Sequence, residues 1–389
     1  MHVILTLLLT LQLSPVPVST APAAAFLHRD SGIVQIEDLS DLLEPIRAAA
    51  EIPALAALVI DRGEVRAIGA TGVRKYGEDV PVTVDDLWHL GSDTKAMTAT
   101  LAAILVEEGL LRWDSTISEI LPDLVGSIDE AYHDVTLRQL LMHRGGCPNA
   151  TFLPNMNTYQ LHDMPGETMI EQRLQYVRLF LAGEPEATPG RRYIYSNGGY
   201  VTAGAMLERV TGSVWEELIQ ERLFSPLGIT SAGFGAMGTP GEIDQPLQHV
   251  IRSEIPYPIE PGPRSDNPLV IGPAGTVHMT LTDWSKFVAA HLSGRAGEND
   301  LLSPETWELL HELPDEGEYA MGWVVVERPW AEGEALTHAG SNTMNYSVVW
   351  ASVKRQFAVF AVTNIGYDQA ASICDRVTTA LVIKYTPGG

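Results

Sequence analysis

The sequence predicts an α/β protein of the α+β type: an antiparallel sheet flanked by helices and built from both chain ends, with an all-helical insertion between them. Three observations predict it. Short apolar runs typical of strands lie near the N-terminus and again after Tyr319, Ala- and Leu-rich segments with capping signals fill the middle, and a last helical segment, 368–385, closes the chain.

Taken in order, the chain begins with an apolar stretch from Val3 to Leu13 and a small-residue segment through Ala25. That stretch is too short to span a bilayer as a stable helix but matches a secretory signal over residues 1–25, with Ala23 and Ala25 forming the cleavage site. An exported protein is expected, periplasmic or extracellular, with no stable membrane anchor after signal removal. Residues 54–60 and 65–70 flank Asp61-Arg62-Gly63-Glu64 and read as a hairpin. Residues 93–108 are apolar almost all round and precede Gly109, which describes a buried helix with a left-handed stop. Thr136 with Gln139, and Ser213 with Glu216, have capping-box spacing; Gly145-Gly146 and Gly212 mark helix ends, and Ser303-Pro304 starts another helix. Residues 323–326, 346–351 and 357–363 read as meandering strands. The segments 149–165 and 245–268, rich in Pro, Asn and His, read as long loops of the kind that wall binding sites. The division that follows is a signal at 1–25, an α/β domain from 26–125 plus 270–389, and a helical domain at 126–269.

Composition narrows the function. With 45% apolar and 19% charged residues over 389 positions, the chain buries a large core. A formal charge of −24 repels phosphate backbones and anionic lipids, which excludes nucleic-acid binding. Cys147 and Cys374 are compatible with one bridge or with two buried free thiols. There is no H-E-x-x-H zinc motif and no G-x-S-x-G nucleophile elbow, and no metal or other cofactor is implied.

Three segments carry chemistry. Ser92-Asp93-Thr94-Lys95 places a hydroxyl at the start of the buried helix and an amine one turn later on the same face. Helix capping accounts for Ser92 or Asp93, but not for Lys95, which the positive end of the helix dipole opposes; that field favours the neutral amine able to take a serine proton. Tyr195-Ser196-Asn197 sits on a turn between two helices, followed by Gly198 and Gly199. His338-Ala339-Gly340-Ser341 precedes a predicted strand, where a Gly lets substrate lie against the backbone; His143-Arg144-Gly145 repeats its H-x-G pattern elsewhere.

In that order, S-x-x-K at Ser92, Y-x-N at Tyr195 and H-x-G at His338 resemble the three active-site motifs of the class C β-lactamase, penicillin-binding protein and family VIII esterase group. Residues 135–143, Gly272-Pro273-Ala274-Gly275-Thr276-Val277 and Val362-Thr363-Asn364 are similar to that group as well, so the resemblance covers roughly residues 34–385. It implies Ser92 as nucleophile, Lys95 as its base or proton relay, Tyr195 as proton shuttle, Asn197 as a substrate-orienting group, and the backbone N–H groups of Ser92 and Ser341 as the oxyanion hole beside Gly340. His338 replaces the usual Lys of the third motif and removes a fixed positive charge, which tilts the expectation toward an esterase or D-amino-acid amidase or peptidase. A true class C β-lactamase or DD-carboxypeptidase is the alternative, and a catalytically silent cell-wall peptide-binding protein is the alternative of another class. The expected partner is a small ester, amide or peptide substrate.

Overall fold

The computed structural model describes residues 36–149 and 156–386. The expected signal at 1–25 lies outside the described residues. The chain opens with β1 (Glu37–Asp38), α1 (Ser40–Ala49), β2 (Ala54–Asp61), β3 (Glu64–Gly72), β4 (Leu87–His89) and α2 (Thr94–Glu107). A mainly helical stretch follows: α3 (Ile117–Ile120), α4 (Leu137–Leu141), α5 (Thr158–His162), α6 (Met169–Phe180), α7 (Asn197–Thr211) and α8 (Trp215–Ile219). Next come β5 (Gly233–Phe234), β6 (Gln248–Arg252), β7 (Ile255–Ile259), α9 (Gly272–Gly275), β8 (Val277–Thr280), α10 (Leu281–Gly294) and α11 (Pro304–His311). The chain ends with β9 (Val324–Arg328), β10 (Gly333–Ser341), β11 (Tyr346–Ser352), β12 (Phe357–Thr363) and α12 (Ala370–Tyr385).

Both chain ends build one seven-stranded sheet in the order β1-β3-β2-β12-β11-β10-β9, antiparallel except for the β1–β3 pair. Its strands β2 and β12 are apolar up to their last residues, Asp61 and Thr363, because both faces are covered. In β2, Leu55, Ala57 and Val59 pack with Leu43 of α1 and Val377 of α12, while Ala54, Ala56 and Leu58 face the core that holds α2 and α10. β12 divides in the same way, Phe357 and Val359 to one side, Ala358 and Phe360 to the other. The hairpin joining β2 to β3 turns at Arg62 (φ 53°) and Gly63 (φ 80°), two left-handed residues whose twist matches the strands.

Three details depart from the sequence reading. The segment 126–269 is not all-helical, since it carries β5 and the β6–β7 hairpin within a stretch expected to be loop. Pro256 and Pro258 argue against a strand, but they alternate, and the N–H and C=O of His249 opposite Pro258 bond to Met344 and Gly366 instead, so the missing proline donors are not needed. The capping box expected at Ser213 does not form: α8 starts after Val214 without a side-chain cap, because Glu216 is taken by the buried Arg173 at 2.7 Å. The third motif lies at the end of β10, inside one strand as well as just before the predicted one, β11. The box at Thr136 and Gln139 and the left-handed stop at Gly212 form as expected. Cys147 and Cys374 are both buried and free. Among the described residues, no helix is long and apolar enough to cross a membrane.

Candidate active site

Ser92 lies in a 3-10 turn, Gly91–Asp93, that runs straight into α2, so Lys95 falls on the same face one turn later. Lys95 Nζ sits 3.1 Å from Ser92 Oγ and donates to Asn197 Oδ1 and to the Ala274 carbonyl, each at 2.7 Å. Lys95 has 0% exposure, and burial moves its pKa well below the usual lysine range. Tyr195 donates its hydroxyl to Ser92 Oγ at 2.7 Å, and burial raises its pKa, so the phenol is protonated at neutral pH. The structure thus gathers Ser92, Lys95, Tyr195 and Asn197 around one hydroxyl.

Tyr195 is held by a residue outside the expected set. His143 ends α4 in the left-handed conformation (φ 56°), a role expected of Gly145-Gly146. Its carbonyl accepts the Ile194 N–H at 2.8 Å, its Nδ1 accepts the Ser196 N–H at 3.0 Å, and its ring packs on Tyr195 with centroids 4.4 Å apart. The N–H groups of the residues on either side of Tyr195 are therefore fixed by one side chain and its own backbone. The sequence signals were the second H-x-G at His143, which resembled an accidental repeat, and its place at the end of the family-like segment 135–143.

The third motif gains its place from strand pairing. β9 pairs with β10 only as far as Thr337, so the outer edge of His338–Ser341 is left without a strand partner and packs against the turn bearing Ser92. Gly340 makes that approach possible: a Cβ there would meet the Leu90 carbonyl oxygen at 1.8 Å and Ser92 N at 2.7 Å. Gly91, left-handed at φ 49°, answers it from the other side, where a Cβ would lie 2.3 Å from Ser341 N. The backbone amides of Ser92 and Ser341 thereby border the same space.

His338 points into the body of the protein and is 6% exposed. Its Nδ1 faces the Ala339 carbonyl at 2.9 Å and its Nε2 faces the Tyr319 hydroxyl at 3.1 Å, so Nδ1 carries the proton and Tyr319 donates to Nε2. Burial lowers its pKa to about 3, which makes it a neutral imidazole. Asp93 Oδ1 lies 3.7 Å from His338 Nδ1. Burial pushes the Asp93 carboxyl up to about 8. Its Oδ2 is 2.6 Å from Ser347 Oγ, which is also 2.9 Å from the Leu90 carbonyl. One hydroxyl proton cannot serve both acceptors, and a protonated Asp93 donating to Ser347 satisfies the pair. The site therefore pushes His338 and Asp93 toward their uncharged forms, and burial draws Lys95 in the same direction. Among the described residues, no group of three or more His, Cys, Asp or Glu is placed to hold a metal ion.

A family model described as Beta-lactamase matches residues 39–381. Over 253 residues the chain is 28% identical to Penicillin-binding protein 4 of Amycolatopsis lactamdurans, a match covering 64% of this chain and 62% of that one. Over 184 residues it is 33% identical to lovastatin esterase of Penicillium rubens, covering 42% and 44% of the two chains. The matched region is thus less than two thirds of either relative's length. Among solved structures, the D-amino acid amidase of Ochrobactrum anthropi SV3 has a TM-score of 0.69 at 21% identity, with 89% of this chain and 97% of that chain covered, and so shares the fold.

Proposed function

Because the chain belongs to the Beta-lactamase family, we propose that it is a serine hydrolase that cleaves an ester or amide through an acyl-enzyme on Ser92. One observation carries the reading. A neutral lysine amine has two N–H bonds and one lone pair, and the two protons of Lys95 are engaged by Asn197 Oδ1 and the Ala274 carbonyl at 2.7 Å each. Its lone pair is left for the third neighbour, Ser92 Oγ at 3.1 Å.

In the proposed reaction Ser92 gives its proton to Lys95 as Oγ bonds to the substrate carbonyl carbon. The negative charge that develops on the carbonyl oxygen is met by the N–H groups of Ser92 and Ser341, an interaction worth about 3–4 kcal/mol per donor in comparable sites. Tyr195 protonates the leaving alcohol or amine and is reprotonated from Lys95, so the carbonyl–leaving-group bond breaks with no net charge left behind. Water then attacks the acyl group, losing its proton to Tyr195 as Tyr195 passes its own to Lys95, and Ser92 recovers a proton from Lys95 as the acid departs. Asn197 orients substrate while holding Lys95.

The neutral state of His338 supports esters, amides or D-amino-acid derivatives over β-lactams, because its buried imidazole supplies no fixed charge for a substrate carboxylate. The esterase relative and the amidase-like fold agree with that choice. Export through a signal at 1–25 belongs to the same proposal. The test is Ser92→Ala: hydrolysis of a p-nitrophenyl ester is lost with the fold intact, and a fluorophosphonate adds its mass to the wild type at Ser92 alone. Retained turnover in the variant rejects the nucleophile. Nitrocefin turnover matching that of the best ester would reverse the substrate assignment in favour of a β-lactamase.

A further inference from the structure

Both backbone segments that flank the proposed oxyanion site are tied to one buried carboxylate that the reaction scheme does not use. Asp266, in the connection between β7 and α9, is 7% exposed. Its Oδ2 accepts from His89 Nε2 at 2.8 Å, and His89 Nδ1 accepts from the N–H of Gly91, the residue before Ser92, at 3.0 Å. With Nδ1 acting as acceptor, the ring proton is fixed on Nε2. Its Oδ1 accepts from Nδ2 of Asn342, the residue after Ser341, at 2.6 Å. The Asn342 side-chain oxygen receives the N–H groups of Met344 at 3.1 Å and Asn345 at 2.9 Å, which closes the β10–β11 turn.

We propose that Asp266 is a positioning residue for the oxyanion site, setting the spacing between the Ser92 and Ser341 amides through His89 on one side and Asn342 on the other. The inference rests on the acyl-enzyme reading above. Only a carboxylate fits both arms. An amide at 266 has one acceptor oxygen, so its NH2 group must face either the His89 N–H or the Asn342 NH2. If His89 changes tautomer to avoid the conflict, its Nδ1–H turns against the Gly91 N–H, and the mismatch reaches the nucleophile turn. His89 and Asn342 are buried, so water does not replace a lost partner. Burial by itself would raise the Asp266 pKa, but His89 and Asn342 outweigh it and keep the group ionised at neutral pH.

The experiment compares a p-nitrophenyl ester with its thiono analogue, whose C=S accepts hydrogen bonds poorly, in wild type, Asp266→Asn and Asn342→Ala. For Asp266→Asn, kcat/KM on the oxoester is expected to fall about tenfold to a hundredfold, mostly in kcat, with a much smaller loss on the thionoester. The oxo-to-thiono preference therefore shrinks. Asn342→Ala cuts one arm only and shifts the preference in the same direction, which keeps the test alive if the first variant does not fold. Equal losses on both substrates, or no loss, would reduce Asp266 to a structural group and overturn the proposal. If the wild type forms no fluorophosphonate adduct at Ser92, the acyl-enzyme reading fails and takes this inference with it; an adduct with an unchanged preference removes the role of Asp266 alone.

Discussion

Gly340→Ala tests the contact between β10 and the nucleophile turn. The added Cβ would meet the Leu90 carbonyl oxygen at 1.8 Å and Ser92 N at 2.7 Å, and both are backbone atoms of the turn itself, with no flexible side chain to swing aside. The strand and the turn must part by about 1 Å, a displacement that costs roughly a hundredfold in rate, or ~2.7 kcal/mol at the transition state. Crowding of this kind also costs about 1–3 kcal/mol of stability. Steady-state kinetics on a short-chain p-nitrophenyl ester reads the first quantity and a urea titration the second. Ser92, Lys95 and Tyr195 keep their mutual hydrogen bonds in this variant, so the loss is expected in kcat/KM rather than as a missing nucleophile. A variant with wild-type kcat/KM and an unmoved urea midpoint would refute the proximity of the Ser92 and Ser341 amides on which the oxyanion argument stands.

Three further outcomes follow from the same geometry. Tyr195→Phe deletes the hydroxyl 2.7 Å from Ser92 Oγ and should slow turnover about 10²- to 10⁴-fold in single-turnover kinetics; a loss below about tenfold would move the proton-shuttle role elsewhere. Stability should fall as pH drops from about 6.5 toward 4, because the buried His249, His278, His311 and His338 have pKa values of about 4, 4, 3 and 3 and take up protons only on unfolding in that window. Asp93, raised to about 8, acts in the opposite sense there, binding a proton only when folded, as do Glu208 and Asp375 in lesser degree, but His143 and His291, also lowered by burial, add to the four histidines. Denaturant midpoints that stay level between pH 6.5 and 4.5 would contradict the neutral assignment of these imidazoles. Arg173→Met removes a fully buried guanidinium that donates to Glu208, to Glu216 at 2.7 Å and to the Leu269 and Val270 carbonyls at 3.0 and 3.1 Å. It should cost about 3–5 kcal/mol by stranding Glu208, and a urea midpoint shift worth under about 1 kcal/mol would show that the cluster contributes little.

Ser92 and Lys95 are legible in the sequence because helix geometry turns a three-residue spacing into a contact, and a cation in the first turn of an apolar helix breaks a local rule. Tyr195, Asn197 and His338 are legible only through the order of their motifs, since nothing local distinguishes a functional Tyr in a turn from an ordinary one. The strands β2, β11 and β12 are legible from their apolar runs, whereas β10, interrupted by Gly333, Gly340 and polar residues, and β7, with its two prolines, are not.

The sequence by itself determined which chemical groups are present, the spacing that sets hydroxyl beside amine, and the two-ended sheet that carries them. Tertiary structure decided their protonation and their supports. Lys95, Asp93 and His338 are pushed toward their uncharged forms by everything packed around them, and desolvation is a property of surroundings that no local window contains. His143 against the Ser196 N–H and Asp266 beneath His89 act across 53 and 177 positions of chain, distances over which only the folded backbone makes neighbours.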